Sequence, residues 1–117
     1  MANKKLLNAF KLSSKITIYI PGTKNINEAA DTTEHVDDCA RLLSECFGGA
    51  TSTPALGYWA SPTAGLVKEQ TTMVFAYCKE ADLEAHLARV IDYCISLKAE
   101  LNQEAIALEL NGEMYFI

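Results

Sequence analysis

The chain has 117 residues, a formal net charge of -5 and a sequence pI near 4.9. A chain of this length buries a sizeable core without disulfide or metal staples, so one domain over residues 1–117 is expected. Beyond Lys4-Lys5 it has no run of basic residues, which removes the electrostatic footprint of a nucleic-acid binder and suits cationic or zwitterionic ligands.

Residues 1–14 are polar and mixed and read as a frayed or docked arm. Their basic start is no signal peptide, because Asn8 breaks the apolar run and Lys11 follows directly. No segment approaches the ~20 apolar residues that span a bilayer, and a reducing cytoplasm is the expected compartment. From Lys15 to Ile20 the sequence alternates, with Ile16, Ile18 and Ile20 on one face and Thr17 and Tyr19 on the other, until Pro21-Gly22 ends the first strand. Residues 23–30 read as a polar loop. Asp31 and Glu34 have the spacing of a capping box, which opens a helix over about 32–47. Its apolar positions Val36, Cys39, Leu43, Cys46 and Phe47 repeat every three to four residues, and Gly48-Gly49 stops it.

A second strand is expected over 54–60 and a third over 66–78. In the third, Val74, Ala76 and Cys78 alternate with Met73, Phe75 and Tyr77, so both faces are apolar and both need cover. The second helix carries the stripe Leu83, Leu87, Val90, Ile91, Cys94, Leu97 and Leu101, which is a core stripe. A fourth strand over 106–110 meets Asn111-Gly112, a strong hairpin signal, and a fifth follows over 113–117. The order β-α-β-β-α-β with one added strand predicts an α+β, ferredoxin-like sandwich, its antiparallel sheet covered by helices on one face. The second face, carrying Tyr19, Met73, Phe75 and Tyr77, with Tyr115 as a further candidate, would stay wet in a monomer, and oligomerisation is the expected cover.

Cys39, Cys46, Cys78 and Cys94 are widely spaced with no C-x-x-C pair, and His35 and His86 stand alone. No metal site is expected, and each thiol reads as a small buried hydrophobe. Chemistry concentrates instead in residues 55–69. Glu69 alternates in register with Val67, Thr71 and Met73, which puts a carboxylate on the edge of the interface-forming face. It needs a partner there, either a basic side chain or a ligand. Only one of Tyr58 and Trp59 can share its wall. A four-residue turn over 62–65 sets Tyr58 across from Glu69, and this register is preferred because the hydroxyl and carboxylate would satisfy each other. If Ser61 joins the turn, Trp59 shares that face instead.

Gly57-Tyr58-Trp59, the turn and Gly65-Leu66-Val67-Lys68-Glu69, set in a ferredoxin-like chain of this length, resemble the bacteriophage S-adenosylmethionine lyases, long described as S-adenosylmethionine hydrolases. The resemblance implies a homotrimer similar in architecture to the PII signal proteins, with sites between subunits. It implies cleavage of S-adenosylmethionine to methylthioadenosine and homoserine lactone without a cofactor, against host restriction and in the cytoplasm of an infected bacterium. Carried over, Tyr58 and Glu69 would be catalytic, and Tyr58, Glu69 and Trp59 would bind substrate. The competing readings are a PII-like module holding a small molecule or nucleotide in the same cleft, and a structural oligomer without a ligand. A phosphate site would want Gly-rich loops or clustered basic residues, and only Lys68 is near.

Overall fold

The alternating isoleucines form the middle of the sheet. In the computed structural model, which describes residues 3–117, strand β1 (Ser14–Pro21) pairs with β5 (Gly65–Cys78) on one side and β6 (Ala107–Leu110) on the other. β4 (Thr51–Ser61) extends the sheet beyond β5, and β7 (Glu113–Phe116) extends it beyond β6. The order β4-β5-β1-β6-β7 is antiparallel throughout. It is the ferredoxin-like order with one strand added. Helix α1 (Thr33–Phe47) lies mainly against β5, and α2 (Glu80–Leu101) contacts β1 and α1.

Ile16, Ile18, Ile20, Val74, Ala76, Cys78 and Leu108 point toward the helices and meet Cys39, Leu43, Val90, Cys94 and Leu97 in one buried cluster. The period of two on the strands and of three to four on the helices brings these residues to a common layer. Gly48 ends α1 in the left-handed region at φ 92°, its N–H donating to the Ser44 carbonyl 2.8 Å away.

Register places Lys15, Thr17, Tyr19, Met73, Phe75, Tyr77, Glu109 and Met114 on the opposite face, where no helix of the described residues packs. Tyr77 is 51% exposed and Phe116, aligned on this face through Ala107, 74%. The Lys15 ammonium lies 4.7 Å from the Phe75 ring centre and 5.4 Å from that of Tyr77. Thr17 is fully buried beneath this cover, and its hydroxyl has no hydrogen-bond partner among the described residues. Tyr115 departs from expectation. It pairs with Leu108 and so belongs to the helix side of the sheet.

The region before α1 also departs from the expected polar loop and capping box. β2 (Thr23–Lys24) and β3 (Glu28–Ala29) form a small hairpin. Its turn holds Asn25 and Ile26 at φ 50° and 74°, and their N–H groups donate to the carbonyls of Leu101 and Asn102. The hairpin thereby satisfies carbonyls at the end of a helix about 75 residues later, a long-range partnership that no local pattern carries. At the helix start the N-cap is Thr32, whose hydroxyl donates to the Pro21 carbonyl at 2.7 Å. Asp31 accepts from both the N–H and the hydroxyl of Thr33, at 3.0 and 2.6 Å, which holds its carboxyl below the usual range. The reciprocal Asp31/Glu34 box is therefore absent.

Among the described part of the expected arm, Lys4–Asn8 makes one 3-10 turn with no buried residue. The expected arm's first two residues lie outside the described range.

Candidate functional site on the free face of the sheet

β1 ends opposite Thr71, whereas β4 and β5 run on for another six residues and close at Ser61 and Gly65. The hairpin tip therefore leaves the body as a two-stranded ribbon. Its turn is Pro62, Thr63 and Ala64. Ser61 Oγ accepts from the N–H groups of Ala64 and Thr63, at 3.1 and 3.3 Å. Gly65 takes a left-handed φ of 74°, as a three-residue hairpin loop requires after its turn.

This turn sets the register. Gly57 faces Glu69, Tyr58 faces Lys68 and Trp59 faces Val67. The expected four-residue turn, and with it the Tyr58 to Glu69 pairing, is overturned because Gly65 already pairs with Ser61. A one-residue slip reverses every side chain, so Trp59 shares the face of Glu69 while Tyr58 and Lys68 occupy the other. Trp59 Nε1 donates to Glu69 Oε1 at 3.3 Å. That single bond leaves the second carboxylate oxygen available.

Glu69 and Trp59 border a cavity of about 360 Å³ where the ribbon meets the sheet's free face. Tyr19 and Thr71 line it from the central strands, Phe116 and Ala107 from the far edge, and Gln103 and Ala105 from the segment after α2. Gly57, opposite Glu69, contributes no side chain and leaves that wall low. Tyr58 also borders the cavity, although its side chain leaves from the opposite face of the ribbon. The Gln103 amide nitrogen lies 3.2 Å from the carbonyls of Thr23 and Leu101 and donates to them, which ties the wall to the β2-β3 hairpin. The cavity offers one carboxylate, aromatic walls and no Lys or Arg. Such a lining receives a cation or a flat neutral ring better than a phosphate.

Of the residues singled out in the sequence, the structure brings Glu69 and Trp59 into contact, while Tyr58 borders the same cavity but projects from the opposite face of the ribbon. Sequence reading missed Gln103, Ala105 and Phe116. Alternation in the last strand put Phe116 on a face, but nothing local shows that this face meets Glu69 across five strands. Among the described residues, no three His, Cys, Asp or Glu side chains converge as metal ligands. No helix among them is long and apolar enough to cross a membrane.

A scan against protein-family models and a search of curated proteins each find no match. Solved structures do match the fold. A phage SAM lyase in complex with S-methyl-5'-thioadenosine superposes with a TM-score of 0.64 at 15% identity, covering 93% of this chain and 94% of that one. A phage SAM lyase in the apo state gives 0.62 at 15% identity, covering 94% and 92%. At this identity the likeness is one of fold.

Proposed function

We propose that the chain is a lyase that cleaves S-adenosylmethionine to methylthioadenosine and homoserine lactone, working as a homotrimer whose sites lie between free sheet faces. The observation that carries this reading is the Glu69–Trp59 pair at the mouth of a cavity on an uncovered, apolar sheet face. The fold likeness to a lyase that holds methylthioadenosine supports it. Assembly through the free face gives the exposed Tyr77, Met114 and Phe116 a partner and brings cavities to the seams between copies.

The chemistry asks little of the protein. The substrate's own carboxylate oxygen attacks its γ-carbon, the carbon–sulfur bond breaks, and the electron pair leaves on sulfur. A five-membered lactone and a neutral thioether result, and no proton moves. Holding the methionine tail curled supplies effective molarity. Because a carboxylate and a sulfonium cancel as the bond forms, a dry cleft favours the transition state over the charged ground state.

Glu69 beside the sulfonium would stabilise a charge that is disappearing, which opposes catalysis. Its role is therefore to hold the α-ammonium, whose charge persists, with Trp59 fixing one carboxylate oxygen so that the other faces substrate. Tyr58 leaves the ribbon on the opposite side and serves the cleft of the adjoining subunit.

The test is product analysis with S-adenosylmethionine, followed by two variants. Methylthioadenosine with lactone ahead of homoserine is expected. Glu69→Gln removes a hydrogen bond to a charged group, which costs about 10- to 100-fold in kcat/KM, and Tyr58→Phe lowers turnover. Mixing the two weakened chains restores activity if Tyr58 and Glu69 of one site come from different subunits, since some seams then hold both wild-type residues. No recovery places both in one subunit and sinks the assignment of Tyr58. Homoserine carrying solvent oxygen as the first product means hydrolysis, and no turnover moves the reading to a PII-like binding module.

A further inference from the structure

Two features have no part in the proposed reaction, and they complement each other. The first is the arm. Lys4, Lys5 and Lys11 are three of the chain's ten basic residues, and none of its fifteen acidic residues lies in residues 1–14, so residues 15–117 carry -8. Leu6, Leu7 and Phe10 stand 61%, 76% and 77% exposed on the arm. Within its own chain the arm's described contact is Phe10 beneath the Lys79 ammonium at 5.6 Å. The second is a cleft of about 660 Å³, larger than the cavity beside Glu69. It lies between the start of α1 and the exposed edge strand β4, with apolar walls from Val36, Pro54, Ala55 and Leu56 and a carboxylate at Asp31. No Lys or Arg lines it.

We propose that the arm of one copy docks in the α1/β4 cleft of a second copy, its leucines and phenylalanine filling the apolar walls and its lysines facing the Asp31 carboxylate and the acidic body around it. Within one chain Phe10 cannot reach that cleft. The arm leaves from the start of β1 and the cleft lies beyond its end, so the eight residues of β1 set them about 26 Å apart. Phe10 is four residues from Ser14 and reaches no more than about 14 Å with the 3-10 turn kept. Charge selects the partner, because the acidic body that attracts this arm is that of another copy, whereas a net -5 chain is repelled by anionic lipid or nucleic acid. Arm and cleft are different surfaces. The contact is therefore head-to-tail and runs on as a ring or a chain of copies.

Mixed disulfides test it directly. Leu7→Cys in one full-length chain and Leu56→Cys in another are mixed under mild oxidation, with Ser96→Cys as an exposed control partner for Leu7→Cys. The native thiols are buried and stay silent. The expected result is a cross-linked Leu7→Cys/Leu56→Cys dimer at least tenfold more abundant than with the control, and abolished by Leu6→Ser/Phe10→Ser in the arm-bearing chain. The mass of the uncross-linked protein by sedimentation falls with added salt, and falls equally in Leu6→Ser/Leu7→Ser/Phe10→Ser. Cross-linking no stronger than the control overturns the proposal. So does arm-dependent pelleting with phosphatidylserine vesicles in the absence of the mixed disulfide, which assigns the arm to a membrane. The disulfide is read without turnover, so an inactive preparation bears on the lyase reading and leaves this one to be judged by the cross-link.

Discussion

β5 belongs to two different regions. Over residues 71–78 it pairs with β1, and Val74, Ala76 and Cys78 are at most 3% exposed beneath the helices. Over residues 65–70 its partner is β4 alone, and Leu66 is 65% exposed. The first region makes the fold, and the second carries Glu69, Trp59 and Tyr58. A two-stranded ribbon is marginal in water, so the candidate site sits where the chain stabilises itself least. Stability and function should therefore separate cleanly between the two halves of one strand.

The separation breaks first in the body. Ile18→Ala, at the fully buried centre of β1, should cost about 2–5 kcal/mol in urea unfolding. A loss under 1 kcal/mol would mean that the body is not the stable half. Next comes pH. Burial pushes the thiols of Cys39 and Cys94 up to about 12 from 9.0. Above pH 9 the unfolded chain releases these protons while the folded chain keeps them, so stability is full below pH 9 and falls as pH rises toward 12. The slope is on the order of 1 kcal/mol per pH unit per thiol. Urea midpoints at pH 8, 9.5 and 11 should show a shallower fall for Cys94→Ala than for the parent, and parallel profiles would remove the thiols from the account.

The junction is sharpened by Gly22→Ala. An added Cβ there would lie 2.8 Å from the Gln70 carbonyl oxygen, at the point where Gly22 N–H donates to that same oxygen. Overpacking against backbone costs about 1–3 kcal/mol. Because Gln70 begins the ribbon, turnover should fall along with the melting temperature, and a change in stability alone would show that the ribbon is positioned from elsewhere. The smallest effect on folding belongs to Trp59→Phe, half exposed, at about 0.5 kcal/mol or less. It removes the donor to Glu69 and should lower turnover more than stability. A large loss of stability would make Trp59 a structural member of the ribbon.

Much of this architecture was written locally. The isoleucine alternation, the two helical stripes and Asn111-Gly112 each state a period or a turn within a few residues, and each became the element expected. The wet second face followed from counting helices against strands. Glu69 and Trp59 could be singled out as residue types, but their contact depended on one turn residue. Ser61 closes β4 through its hydroxyl and Gly65 takes a positive φ, and that choice sent Tyr58 to the opposite face. The β2-β3 hairpin was hidden because its partners are the carbonyls ending α2, and Tyr115 faced the helices because β7 aligns with β6 through Leu108. By itself the sequence determined which segments are strands and helices and which residues seek the core, since period and burial are properties of neighbours along the chain. The tertiary structure alone decided register, the walls around Glu69 and the distance between arm and cleft, since these depend on hydrogen bonds and packing between residues far apart in sequence.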